Sequence, residues 1–194
     1  MRCPACHSNI LAESDAGCQD CGFTLAAADG ALGLPPPLQA PIADAARVLS
    51  RNEMRKAATA VKVLEQRIEQ LRVIVVLTDV PPVASVSVYA FWLFNRAGFF
   101  SSAEKGGDNH GVLLLIDPTQ SLSAVMIGYG LEPFVKESAL EASLAAASRS
   151  LAQKEYGAGI GAWCREFERQ LIPILKALPR TFGFSSEQGP EALF

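Results

Sequence analysis

The chain moves between stretches of helical apolar spacing and short unbroken apolar runs. Ser50 and Glu53 form a capping-box pair, a hydroxyl followed three places later by a carboxylate. Behind them Met54, Ala57, Val61, Leu64, Ile68 and Leu71 fall at spacings of three and four, with Arg55, Lys62, Glu65, Gln66 and Glu69 on most of the other side. That spacing predicts an amphipathic helix. Val73 to Leu77 is a β-branched run without polar interruption, the pattern of a strand buried on both faces, and Pro81 and Pro82 end it. Val112 to Ile116 repeats the pattern, and the turn from Asp117 to Ser121 predicts that Leu122 to Ile127 returns antiparallel to it. Ser138 and Glu141 make a second capping-box pair ahead of Leu140, Leu144, Ala147 and Leu151. A last helix is expected from about Ala158 to Leu178, with Ile160, Trp163, Phe167 and Leu171 inward and Pro173 as the place for a kink. Residues 83–97 fit a strand or a helix equally well by pattern. The whole reads as a soluble α/β domain.

Two stretches stand outside that pattern. Residues 25–43 contain Gly30, Gly33 and the prolines 35, 36, 37 and 41, so they are expected to be a linker, extended and stiff from Pro35 to Pro37. The division expected is therefore a small module at 1–24, a Pro/Gly/Ala linker at 25–43, the main domain at 44–178 and a loose tail at 179–194.

The first module is defined by its cysteines. Cys3, Cys6, Cys18 and Cys21 form two C-x2-C pairs with eleven residues between them. Each pair turns the backbone so that two thiolates face one point, and two pairs complete a tetrahedron suited to zinc. Gly22 supplies the open backbone that follows such a pair. The segment reads as a zinc ribbon with a short hairpin between the knuckles. Four thiolates leave no open coordination position, so the Zn²⁺ is expected to be structural and to supply the module's folding energy. Cys3-Pro-Ala-Cys6-His7 also matches the pattern for c-type haem attachment, but that leaves the second pair unexplained. Disulfides do not suit a cytoplasmic chain. A redox pair is expected at a strand-to-helix junction, where these cysteines do not lie. Cys164, beside Trp163 on an apolar helical stripe, reads as a buried inert thiol.

Composition narrows the function classes. Of the 194 residues, 49% are hydrophobic and 19% charged, which is enough for a sizeable core. The formal charge is −3 and no basic stretch occurs, so nucleic-acid contact through phosphates is not expected. The start, Met-Arg-Cys-Pro, has no apolar stretch of the signal-peptide kind. The longest apolar-rich run elsewhere, Val83 to Phe94, falls short of the ~20 residues that span a bilayer. No membrane span and a cytoplasmic location are expected.

Particular residues then resemble a known family. Asp108-Asn109-His110-Gly111-Val112-Leu113-Leu114-Leu115-Ile116, followed by Gly128-Tyr129-Gly130-Leu131-Glu132, is similar to the TPM domain, whose members share a D-N-G-V-L-L-L strand, a G-Y-G-L-E turn and an acidic residue five places later, here Glu137. Val48-Leu49-Ser50 before the long helix and Tyr156-Gly157-Ala158-Gly159-Ile160 fit as well, so the resemblance spans roughly residues 44–178. It implies that residues 83–97 are a helix and that the fold is a compact α/β/α sandwich around a small mixed sheet, preceded by the zinc-ribbon module. Departures are His110 inserted before Gly111, Pro133 where the family prefers Gly, and a strand at 122–127 without the basic residues that often precede G-Y-G. Many members carry a signal peptide and a C-terminal anchor; neither pattern is found in these residues.

The resemblance also implies a candidate cleft. Asp108, Asn109, Glu132 and Glu137 supply three carboxylates and an amide oxygen, hard ligands suited to Ca²⁺ or Mg²⁺. Some relatives bind calcium, and weak phosphatase activity is ascribed to others. The same groups also serve as turn caps, His110 as a loop residue facing solvent, and Gly128 and Gly130 as turn glycines. Asp79 and Asp117, each beside a proline, read as turn residues at strand ends. The reading is a non-catalytic binding or accessory module for an unidentified protein partner, with a metal-dependent phosphoesterase of low activity as the alternative.

Overall fold

In the computed structural model, residues 2–9, 17–68, 70–99 and 110–182 are described. In chain order the elements are α1 (Leu25–Leu32), β1 (Ile42–Asp44), α2 (Arg51–Arg67), β2 (Arg72–Leu77), α3 (Val86–Arg96), β3 (Gly111–Asp117), β4 (Leu122–Ile127), α4 (Glu137–Ala152) and α5 (Tyr156–Phe182). The strands form one sheet in the order β1-β2-β3-β4. β1, β2 and β3 run parallel, and β4 returns antiparallel to β3, as the turn at Asp117 predicts.

The apolar runs of β2 and β3 are buried on both faces because helices cover both. Val73, Val75, Leu77, Val112, Leu114 and Ile116 pack on one side with Val61, Leu64, Ile160, Trp163 and Phe167 from α2 and α5. Ile74, Val76, Leu113 and Leu115 pack on the other side with Tyr89, Trp92 and Leu93 of α3. This is the expected α/β/α sandwich around a mixed sheet, and the ambiguous stretch at 83–97 holds a helix, α3, over Val86–Arg96. α3 is the crossover that parallel strands require.

Close backbone approach explains two of the glycines in the Tyr156–Ile160 motif. A Cβ on Gly157 would lie 2.9 Å from both Cα and O of Glu53, at the start of α2. A Cβ on Gly159 would lie 2.6 Å from Leu151 Cδ2 of α4. The start of α5 is thereby held against its two neighbours. The Ser50–Glu53 capping box forms as the sequence predicts. Cys164 is buried, and burial pushes its thiol up to about 12, so it is an inert core residue.

Three local expectations are corrected. The segment read as a linker, extended at Pro35 to Pro37, contains α1 ahead of those prolines, capped by Thr24, whose hydroxyl accepts from the Ala27 N–H. Asp29 of α1 accepts from Trp92 Nε1 at 3.0 Å and pairs with Arg96 at 2.7 Å, so α1 is docked on α3. The second correction is α4, which begins at Glu137 with Lys136 as N-cap and no side-chain cap bond. The Ser138–Glu141 pair is therefore not its capping box. The backbone makes a helical turn just before it, with Phe134 N and Val135 N donating to Leu131 O, and burial of Leu131, Val135 and Ala139 sets the entry. The third is β1, three residues after Pro41 that no periodicity can mark; it forms through pairing with β2. Residues 183–194 of the expected tail, and residues 10–16 where a hairpin was expected, lie outside the described residues.

Candidate metal centre and groove

The two knuckles repeat one backbone pattern. Cys3 N donates to Ser8 O and His7 N to Cys3 O; Cys18 N donates to Phe23 O and Gly22 N to Cys18 O. In each, the residue four places after the first Cys takes a left-handed backbone, His7 at φ 62° and Gly22 at φ 72°. The expectation for Gly22 holds, and His7 fills the equivalent place at a steric cost that glycine avoids.

These turns bring the four thiols together. Their sulfurs all lie within 4.8 Å of one another, with Cys3–Cys21 and Cys6–Cys18 at 3.6 Å. A tetrahedron with Zn–S of about 2.3 Å has sulfur separations of about 3.8 Å, near those of these two pairs. The thiols differ in acidity. Hydrogen bonds from the Ser8 side chain and backbone bring Cys6 down to about 6. The Phe23 backbone favours the Cys21 thiolate, but burial and the three other sulfurs outweigh it and push Cys21 up to about 12. Four crowded sulfurs cannot all ionise without a cation among them. The cluster could hold a metal ion.

The sequence-predicted acidic residues meet only in part. Asp108 and Asn109 lie outside the described residues. Glu132 and Glu137 line one groove of about 460 Å³. Glu137 Oε1 accepts from Arg2 Nη1 of the ribbon at 2.9 Å, a contact between residues 135 apart in the chain. Arg2 is the site residue that sequence reasoning missed, because no local pattern links it to Glu137. The Gly128–Glu132 turn is closed by Leu131 N donating to Gly128 O, and Gly128 N donates to Gly111 O, so these glycines serve the turn out of β4. His110 is half-buried just before β3 and is not among the described residues lining the groove. Asp117 is buried and accepts from the N–H groups of Val80, Thr119 and Gln120, while Asp79 accepts from the Thr119 hydroxyl. Both are turn residues, as expected.

The groove runs beside β4. Phe91, Phe94 and Asn95 of α3 form one wall, Leu140 and Leu144 of α4 the other, and Arg2, Pro4 and His7 bring the ribbon to its rim. Phe23 packs edge-on against Phe91 with ring centroids 5.8 Å apart, a second contact that seats the ribbon. Among the described residues, no helix is long and apolar enough to cross a membrane.

Comparison with known proteins agrees with this architecture. The solved N-terminal domain of a Corynebacterium glutamicum protein is similar in fold, with a TM-score of 0.54 and 15% identity over 84% of this chain and 91% of that one. The N-terminal domain of a P. gingivalis protein gives a TM-score of 0.57 and 19% identity over 70% of this chain and 83% of that one. Among curated protein sequences none matches. The family model for the TPM domain matches residues 42–170, from β1 into α5, and so takes in the whole sheet with the Gly128–Glu132 turn. The chain therefore belongs to the TPM-domain family.

Proposed function

We propose that this protein is a non-catalytic binding or accessory module in which a structural Zn²⁺ held by Cys3, Cys6, Cys18 and Cys21 fixes a ribbon against the edge of a TPM domain. The observation that carries this reading is the thiol cluster itself: four sulfurs lie within 4.8 Å of one another, and as ligands of one tetrahedral ion they would leave no coordination position for substrate. The ribbon reaches the domain through Arg2–Glu137 and Phe23–Phe91. Ribbon and domain thus form one continuous surface for a protein partner.

A cation between the carboxylates is the second reading. Its support is that Glu132 and Glu137 line the same groove. Arg2 competes with such an ion at Glu137, so a bound Ca²⁺ or Mg²⁺ requires the guanidinium to move away. The phosphoesterase alternative needs a positive clamp on the phosphoryl oxygens. The described lining holds Glu132, Glu137 and Glu141 against the one guanidinium of Arg2, a balance that repels phosphate.

Elemental analysis should give one zinc per chain. Cys18→Ser should release it and unfold the ribbon while the domain keeps its cooperative melting, because both cores on the sheet are built almost entirely from residues after the ribbon. Turnover of an aryl phosphate should stay at background with or without Ca²⁺ and Mg²⁺. Turnover well above background that is lost in Asp108→Asn would replace this reading with the enzyme.

A further inference from the structure

The outer edge of β4 is an unpaired strand edge among the described residues. The register pairs Val112 with Ile127 and Leu114 with Val125, and Gly128 N donates to Gly111 O. In an antiparallel ladder the bonded pairs alternate. Leu122, Ala124 and Met126 therefore bond to β3, and the N–H and C=O groups of Ser123, Val125 and Ile127 face away from it. β4 ends the described sheet, so no described strand meets those groups. They open into the groove, which Ser123, Val125 and Ile127 help to line.

The strand itself carries none of the usual protective residues. Natural edge strands carry charges, prolines or bulges that deter another strand. Leu-Ser-Ala-Val-Met-Ile, residues 122–127, has no charge and no proline. Its flanks are shaped to receive a chain: α3 rises from one face of the sheet and α4 from the other, with Phe91 and Phe94 facing Leu140 and Leu144 across the strand. Repeating backbone donors and acceptors between two apolar walls match an extended polypeptide, which offers the same groups at the same repeat. A small molecule has no such repeat.

Charge identifies which polypeptide. On the α4 side the described lining carries Glu137 and Glu141, and among the described lining residues the guanidinium is that of Arg2 on the ribbon. Even without Glu132, the described excess is negative.

We propose that the groove binds an extended segment of a partner protein by β-strand addition to Ser123, Val125 and Ile127, with uncharged β-branched or apolar residues along β4 and a Lys or Arg against Glu137 and Glu141. This rests on the binding-module reading and names its partner class. The ribbon forms part of the rim, so loss of zinc removes Arg2, Pro4 and His7 from the site.

Four fluorescein-labelled hexapeptides test it on the full, zinc-loaded chain. Each has a Val-Thr-Val-Thr-Val body, with Lys at the N-terminal or the C-terminal end or with Glu in the same places. Saturable binding below about 1 mM is expected for one Lys peptide, corresponding to the direction in which the segment runs. Its Glu counterpart should bind about tenfold more weakly, since an attraction becomes a repulsion. N-methylating the three valines of that peptide, whose amides share one edge when the N-terminal or C-terminal body is extended, should cost at least about tenfold in one of its two edge registers. Methylating the two threonines tests the other. Hydrogen exchange should slow at Ser123, Val125 and Ile127 on binding. Val125→Pro removes one outward N–H without taking a bond from the β3–β4 ladder, and it should abolish binding. Its melting curve reports whether it folds, and the methylated peptides test the same contact on the unaltered protein.

No saturation with any peptide, or binding indifferent to both methylation patterns, overturns the proposal. So does sedimentation as a dimer that Val125→Pro converts to a monomer, which would assign the edge to a second copy. With one zinc per chain and background phosphatase activity, those results leave the binding-module reading standing. Phosphatase turnover overturns that reading whatever the peptides do.

Discussion

Replacing three glycines of α5 with alanine should give three different outcomes from one chemical change. Gly157, Gly159 and Gly161 occupy the first turns of α5. At an interior helix position Gly→Ala by itself stabilises by about 1 kcal/mol. Contacts decide the rest. At Gly157 the new Cβ would sit 2.9 Å from Cα and O of Glu53, and backbone atoms cannot rotate away. Relief requires α5 to move from α2. Overpacking of this kind costs about 1–3 kcal/mol. The propensity gain is small there, because Gly157 is the second residue of the helix. A net loss of about 2 kcal/mol lowers Tm by about 4–8 °C in a chain of this size. At Gly159 the clash is 2.6 Å but with Leu151 Cδ2, the far end of a side chain that can change rotamer. The loss and the gain then nearly cancel, to within about 1 kcal/mol. At Gly161 the nearest atom is Arg165 Nη1 at 3.4 Å, so the propensity gain of about 1 kcal/mol survives and Tm rises by about 2–4 °C. Differential scanning calorimetry of the three variants measures the order directly. A Gly157→Ala variant that melts no lower than the wild type would refute the packing argument, since its helix position supplies little gain and only the Glu53 backbone supplies a loss.

Acid should undock α1 before it unfolds the domain. The Arg96 hydrogen bond, with help from Trp92, holds the Asp29 carboxyl below its ordinary range, against a smaller opposing effect of burial. A lowered folded pKa contributes stability that is present above the unfolded carboxylate value and is lost as pH falls through the folded value. The Trp92 indole N–H resonance should therefore shift in that acid window, and Asp29→Asn should abolish the pH dependence. In the ribbon, Gly22→Ala should weaken metal retention about fivefold in a chelator competition, because φ 72° penalises a side chain even though no atom lies within 4 Å of the new Cβ. His7→Gly, at φ 62°, should retain the metal as well as the wild type does or better.

The sequence by itself determined what local chemistry and periodicity can encode. Two C-x2-C pairs specify converging thiols whatever follows them, because each knuckle closes its own hydrogen bonds within six residues. The unbroken apolar runs at 73–77 and 112–116 specify strands covered on both sides, and Ser50 with Glu53 specifies the start of α2. Where the same local code met a tertiary constraint, it lost. Ser138 and Glu141 have capping-box spacing, yet α4 starts at Glu137, because the turn at Leu131–Val135 delivers the chain into the helix with its apolar residues already in the core. β1 was invisible because three residues make no period, and its stability comes from hydrogen bonds to β2, thirty-three positions on at Ile42↔Val75. The Gly/Ala-rich stretch at 25–32 has weak helical patterning of its own; Asp29 meeting Trp92 and Arg96 holds it as a helix on α3. The groove was wholly a tertiary result. Its edge strand was legible, but which of its amides face outward follows from register with β3, and its walls come from α3, α4 and a ribbon joined to them by Arg2–Glu137 and Phe23–Phe91. Contacts across such separations depend on where the sheet places each helix, and residue spacing along the chain carries no record of that.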